Sequence, residues 1–215
     1  MTRPELLVGV CGTATEVGKT WASARLLASL REQGRTVAAR KPLQSFDPDD
    51  AAPTDAEVLA AATGEEPHDV CPEPGWYPVP MAPPMAADAL GRRCPTLTEV
   101  AEGIRWPAST DVGLVETVGG VRSPLAEDGD SRDLVRALDV DLVVVVADAG
   151  LGTIDAVRSA VEALAPMPVV VLLNRFDGAD DLHRRNRDWL VERDGCDVVT
   201  DVDSLTTRAQ GRGPT

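Results

Sequence analysis

The feature that most constrains this chain lies near its N-terminus. There an apolar run over residues 6–10 leads into Gly12-Thr13-Ala14-Thr15-Glu16-Val17-Gly18-Lys19-Thr20, and a segment of helical period follows at once. A short strand, a glycine-bearing loop and a helix in that order form a cradle for phosphate. The glycines let the backbone curl, its N–H groups turn inward, and the helix N-terminus adds partial positive charge. Lys19 is then placed to neutralise the outer phosphates of a nucleoside triphosphate, and Thr20 to hold magnesium through its hydroxyl. The spacing is Gly-x5-Gly-Lys-Thr, one residue longer than the common form, because Thr13 stands where the first glycine usually falls.

The rest of the chain repeats the same alternation. Apolar runs at 36–40, 112–116, 142–147, 169–173 and, less marked, 197–200 are separated by segments of helical period. Such a pattern predicts a mostly parallel sheet with helices on both faces. The helix over 20–32 stops near Gly34, Thr54 with Glu57 opens a capped helix that ends at Gly64, and Thr96 with Glu99 opens another. Segment 65–95 carries eight prolines, which predicts an irregular excursion over the sheet edge. At 215 residues with 43% hydrophobic content, the chain reads as a single α/β domain over 1–205. The Gly-, Arg- and Gln-rich tail at 206–215 is expected to fray.

Charge narrows the partners. With 21 basic against 35 acidic side chains the net charge is −14, which argues against a nucleic-acid or anionic-membrane partner. Cys11, Cys71, Cys94 and Cys196 lack metal-ligand spacing and read as reduced thiols. No signal-like or membrane-length apolar stretch occurs in the sequence, so a cytoplasmic location is expected.

Three further groups fall where strand C-terminal ends gather. They are Arg40-Lys41-Pro42-Leu43-Gln44-Ser45, Glu116 with Gly119-Gly120, and Asp55 in the first turn of the capped helix. Carboxylates beside phosphates repel them unless a hard cation intervenes, so Thr20, Asp55 and Glu116 are candidate magnesium ligands. Taken singly, Asp55 reads equally as a helix-dipole partner and Glu116 as a strand-end charge.

The loop at 12–20, Lys41-Pro42-Leu43-Gln44-Ser45, Glu116 with Gly119-Gly120, and Gly150-Leu151-Gly152-Thr153-Ile154 together resemble the dethiobiotin synthetase family, in the same order and at similar separations. The likeness spans about residues 5–175. It implies a P-loop fold and a homodimer whose sites span both chains. It also implies closure of a cyclic urea, dethiobiotin, from the vicinal diamine 7,8-diaminopelargonate, CO2 and ATP through a carbamate and its phosphoric anhydride. No protein nucleophile is needed, and catalysis is positioning and charge neutralisation. By resemblance Lys41 steadies the carbamate and γ-phosphate, while Glu16, Ser45 and Gly119 face the diamine. Gly152 and Thr153 receive its tail carboxylate across the dimer interface. Residues Thr15 to Trp21, Glu116, Thr117, Val118, Gly119, Asn174 and Arg175 contact the nucleotide, and the stretch 81–87 lies beside the substrate.

Asn174 looks matched to the family's base-reading asparagine, which favours adenine. Asn174-Arg175-Phe176-Asp177 also approaches a guanine-reading pattern in which an aspartate takes the base. The family's Gly-x-x-Pro-type wall of the base pocket has no visible counterpart near the C-terminus.

Departures from the family pattern keep other readings open. Thr117 and Val118 replace a more glycine-rich sequence and are expected to crowd the site, Phe46 follows Ser45 where glycine is usual, and Asp155 stands where asparagine is usual. An aspartate there could cap its own helix and would repel a carboxylate. The alternatives are therefore a paralogue for a different diamine or a nucleotide-binding regulatory protein. A switch-type ATPase would want a lysine early in the loop, and positions 13–17 have none. Trp21 is expected to pack the loop helix onto the sheet, and Trp76 and Tyr77 either to wall the pocket or to pin the excursion.

Overall fold

A computed structural model describes residues 3–211. The chain runs β1 (Leu6–Gly12), α1 (Lys19–Glu32), β2 (Val37–Arg40), β3 (Gln44–Ser45), α2 (Asp55–Thr63) and α3 (Pro67–Val70). It continues through β4 (Trp76–Tyr77), α4 (Pro83–Ala89), α5 (Leu97–Gly103), β5 (Val112–Glu116), β6 (Pro124–Ala126) and β7 (Gly129–Asp130). The last third comprises α6 (Ser131–Ala137), β8 (Leu142–Asp148), α7 (Thr153–Leu164), β9 (Val169–Asn174), α8 (Asp181–Glu192), β10 (Val198–Val199) and α9 (Val202–Gln210).

Six strands form one parallel sheet in the order β10-β9-β8-β1-β5-β2. Every residue of β1 and β5 is buried, as expected of strands covered on both faces. Alternation divides the side chains of β1, β5, β8 and β9 between two cores. Leu7, Val115, Val143 and Val171 belong to one, and Val8, Leu114, Val144 and Val170 to the other. Helix α1 contributes Leu26, Leu27 and Leu30 to the second core, whereas α7 and α8 contribute Val157, Leu164 and Leu190 to the first. β1 sits between β5 and β8, so its C-terminal end opens at the point where the chain order reverses, the place where such sheets bind ligands.

Helix starts follow local chemistry. Thr54 and Thr96 both form reciprocal capping boxes, with Glu57 and Glu99, and α2 ends at Gly64 in the left-handed conformation.

Two expectations need correction. Segment 65–95 is not irregular throughout, because some of its prolines fall where proline starts a helix. Pro67 and Pro83 open α3 and α4, and Gln44 and Ser45 pair in parallel with Trp76 and Tyr77. The stretch from residue 206, expected to fray, is helical as far as described: α9 continues to Gln210, with Thr206 buried and Leu205 and Ala209 in the core that holds α1. Residues 212–215 lie outside those described. Among the described residues no helix is long and apolar enough to cross a membrane.

Candidate active site

The loop between β1 and α1 is shaped by backbone that few residues adopt. Gly18 has φ +92, and a Cβ there would stand 2.1 Å from the Asn174 side-chain nitrogen. Only glycine meets both conditions. Glu16 is also left-handed, at φ 59, although it carries a side chain. Lys19 curls back so that its ammonium donates to the Ala14 carbonyl at 3.1 Å. Burial lowers its pKa, and the neighbouring Lys41 charge lowers it further.

Four residues distant in sequence meet at the start of α1. Thr20 Oγ1 lies 2.7 Å from Asp55 Oδ1 and 2.8 Å from Glu116 Oε1. The Lys41 ammonium lies 2.7 Å from both Asp55 Oδ2 and Glu116 Oε1. Glu116 is wholly buried, and its second oxygen accepts from Ser23 Oγ at 2.7 Å. A carboxylate out of water is tolerable only with this density of donors. Burial alone would depress the Lys41 pKa, but Glu116 and Asp55 outweigh it and hold the ammonium well above its ordinary value. Desolvation would raise Asp55, yet the Lys41 charge and hydrogen bond keep its carboxyl below the usual range. Ser23 was not legible as a site residue; its spacing one turn beyond Lys19 is the only hint.

The cluster opens on a cavity of about 820 Å³ lined by Thr15, Glu16, Gly18, Lys19, Thr20, Trp21, Lys41, Ser45, Asp55, Val118, Gly119 and Arg175, among others. Met81, Ala82 and Pro83 form another part of its wall, as do Ser123 and Pro124, which sequence reasoning did not flag. The Ser45 hydroxyl is buried without a hydrogen-bond partner among the described residues. Hard oxygen donors from Thr20, Asp55 and Glu116 beside a phosphate-type loop suit magnesium. Among the described residues no group of three or more His, Cys, Asp or Glu is placed to hold a metal ion by itself, so water and phosphate oxygens would complete its shell.

Several expected residues stand elsewhere. Thr117 is fully buried and turns away from the cavity, its hydroxyl donating to the Val10 carbonyl at 3.1 Å, so it does not crowd the site. Val17 packs its side chain into the core. Trp21 is 52% exposed and lines the cavity; it does not pack α1 onto the sheet. Trp76 donates to the Cys71 carbonyl and stacks edge-on against Phe46, pinning the excursion, and neither Trp76 nor Tyr77 lines this cavity. Gly152 and Thr153 lie outside it as well, with the Thr153 hydroxyl buried and unpartnered among the described residues. Asp155 is exposed in the first turn of α7, whose N-cap is Gly152.

A second cavity of about 620 Å³ adjoins the first at Gly18 and Trp21, and Arg25, Asn174, Arg175, Phe176 and residues 200–203 line it. The turn between β10 and α9 and the first residues of α9 thus form one wall of this second space. Asp177 does not line this space, and its carboxylate accepts from the Ala179 N–H of its own loop at 2.8 Å. Asn174 is buried and its amide donates to the Val17 carbonyl at 2.9 Å.

Comparison with known proteins fits this geometry. A family model described as AAA domain matches residues 8–207. The ATP-dependent dethiobiotin synthetase BioD of Haloferax mediterranei is 39% identical over 196 residues, covering 89% of this chain and 81% of the relative. The protein of the same name from Caulobacter sp. strain K31 is 36% identical over 178 residues, covering 80% of this chain and 77% of the relative. Among solved structures, a plasmid partition protein from Borrelia burgdorferi superposes with a TM-score of 0.56 at 11% identity, covering 97% of this chain and 96% of that one. Chloroplast FtsY from Physcomitrella patens gives 0.53 at 18% identity over 97% of this chain and 66% of its own. Identities that low show a shared fold and nothing more. The length and level of the sequence matches settle the family: the chain belongs to the ATP-dependent dethiobiotin synthetases, a family of ligases.

Proposed function

We propose that this chain carboxylates a vicinal diamine, 7,8-diaminopelargonate, with CO2 at the expense of ATP, closing the cyclic urea of dethiobiotin. The observation that carries the reading is the convergence of Lys41, Thr20 and Asp55 on the cavity that holds the loop lysine, with the buried Glu116 behind them bonded to Thr20 and Lys41. An amine that has taken up CO2 becomes an anionic carbamate, and phosphorylating it brings a second anion toward the triphosphate. Lys19 and Lys41 supply the fixed positive charge this approach needs, in a site where water is partly excluded. Thr20, Asp55 and Glu116 would hold magnesium, which when bound neutralises phosphate charge. The unpartnered Ser45 hydroxyl suits an amine, and the second cavity suits the nucleoside, with adenine favoured. No nucleophilic side chain is required.

The homodimer belongs to the same proposal. Leu151 is 93% exposed at the turn before α7, beside the orphaned Thr153 hydroxyl, and both suit a surface completed by a second copy. Asp155, exposed in that first turn, favours a variant reading in which the substrate tail binds differently or carries no acid.

The test supplies magnesium, ATP, bicarbonate and diaminopelargonate and follows dethiobiotin and ADP by mass spectrometry. ADP without cyclic urea would sink the reading. Lys41→Ala should abolish ring closure and leave ATP affinity within about tenfold, measured with magnesium present because removing Lys41 leaves Glu116 a buried uncompensated charge.

A further inference from the structure

The loop is gripped from a second direction, away from the cation cluster. Asn174 and Arg175, at the end of β9, donate to two successive loop carbonyls: the Asn174 amide to Val17 at 2.9 Å and the Arg175 guanidinium to Glu16 at 2.7 Å. In a trans peptide the carbonyl and the N–H point in opposite directions. Holding these carbonyls outward therefore turns the N–H groups of Val17 and Gly18 the other way, toward the cradle. Neither N–H has a partner among the described residues.

Arg175 is itself held. Its guanidinium pairs with Asp148 Oδ2 at 3.0 Å, and Asp148 Oδ1 accepts the Gly150 N–H at 2.9 Å. The buried Asn186 amide then donates to the Gly150 carbonyl at 2.9 Å. One continuous set of bonds thus links the loop to the backbone that leads into α7. Asp148 and Arg175 are 51% and 59% exposed, so their pairing contributes little to folding. Yet Arg175 adopts φ 55, a left-handed conformation that an arginine keeps only where its surroundings hold it.

We propose that Asp148 and Arg175 are positioning residues that orient the peptide planes of Glu16 and Val17 for nucleotide phosphates and couple that loop to the turn opening α7. The proposal rests on the ATP-binding reading above and adds to it two charged residues that act through backbone. Arg175 sets the direction of the Val17 N–H, and Asp148 sets the direction of Arg175 while fixing Gly150.

The test measures magnesium–ATP affinity by calorimetry for the natural protein, Arg175→Ala, Asp148→Asn and the double variant. Arg175→Ala removes one charge-assisted hydrogen bond and should weaken ATP about tenfold. Asp148→Asn, which can still accept from Gly150, should weaken it about threefold, and the double variant should bind no worse than Arg175→Ala alone. Arg175→Lys should recover part of the loss. Hydrogen exchange supplies a readout that a purely structural role would not move: ATP should slow exchange at residues 150–156 in the natural protein and not in Asp148→Asn. Unchanged ATP affinity in Arg175→Ala, or losses that simply add in the double variant, would overturn the proposal. If the natural protein binds no ATP, the reading of the loop itself fails instead.

Discussion

Single residues decide whether the phosphate loop can exist. Gly18 combines φ +92 with an approach of the Asn174 amide that leaves no room for a methyl group. A left-handed residue with a Cβ costs about 1–2 kcal/mol before any clash is counted. Gly18→Ala should therefore weaken magnesium–ATP binding more than about tenfold, with a calorimetric titration as the check. Unimpaired binding would mean that the loop does not hold the nucleotide in this conformation. The cysteines show residue environment acting in another way. Burial pushes the Cys11 thiol up to about 11 and Cys71 to about 12. A raised pKa keeps the reactive thiolate scarce until the pH approaches that value. Iodoacetamide at pH 8 should accordingly label Cys94 and Cys196, which are partly exposed, and spare the buried pair until the protein unfolds. Equal labelling of all four by mass spectrometry would contradict the packing described.

At the scale of elements, α9 carries more than its composition suggests. Its sequence is polar, but Leu205 and Ala209 enter the core shared with Leu26 and Leu27 of α1, and the turn before it walls the second cavity. Truncation after Leu205 removes half of this helix. It should lower the melting temperature by about 5 °C, the shift expected for a loss of 1–2 kcal/mol in a chain of this size, and should also weaken nucleotide binding. An unchanged melting temperature would return the segment to the status of a tail. The same lesson comes from segment 65–95. Proline density marks departure from regular structure only when the prolines fall inside elements, and here Pro67 and Pro83 open helices. Sequence also could not show which way Thr117 points, because the face a strand-end residue presents depends on its pairing; hydrogen bonding to Val10 turns it inward.

For the whole molecule, the proposed dimer gives the clearest test. Leu151→Glu replaces an apolar side chain that is 93% exposed in the single chain with a charged one. If that surface meets a second copy, sedimentation should change from dimer to monomer, with ATP binding retained and cyclic-urea formation lost. A monomeric natural protein with full activity would refute the shared site. The sequence by itself determined the parallel sheet, from apolar runs of strand length alternating with helical period, and the phosphate loop, from glycine and lysine at fixed spacing. Both depend on local periodicity and backbone geometry, which neighbouring residues encode. Lys41, Asp55 and Glu116 were legible as candidates for the same reason, since strand ends of such a sheet point to one edge. Their meeting within 2.8 Å of one another or of Thr20, the addition of Ser23, and the Asp148–Arg175 grip are tertiary facts. Lys41 and Asp55 come from different elements, and the other contacts join residues 27 to 159 positions apart; all depend on sheet order and helix packing, and no local pattern encodes them.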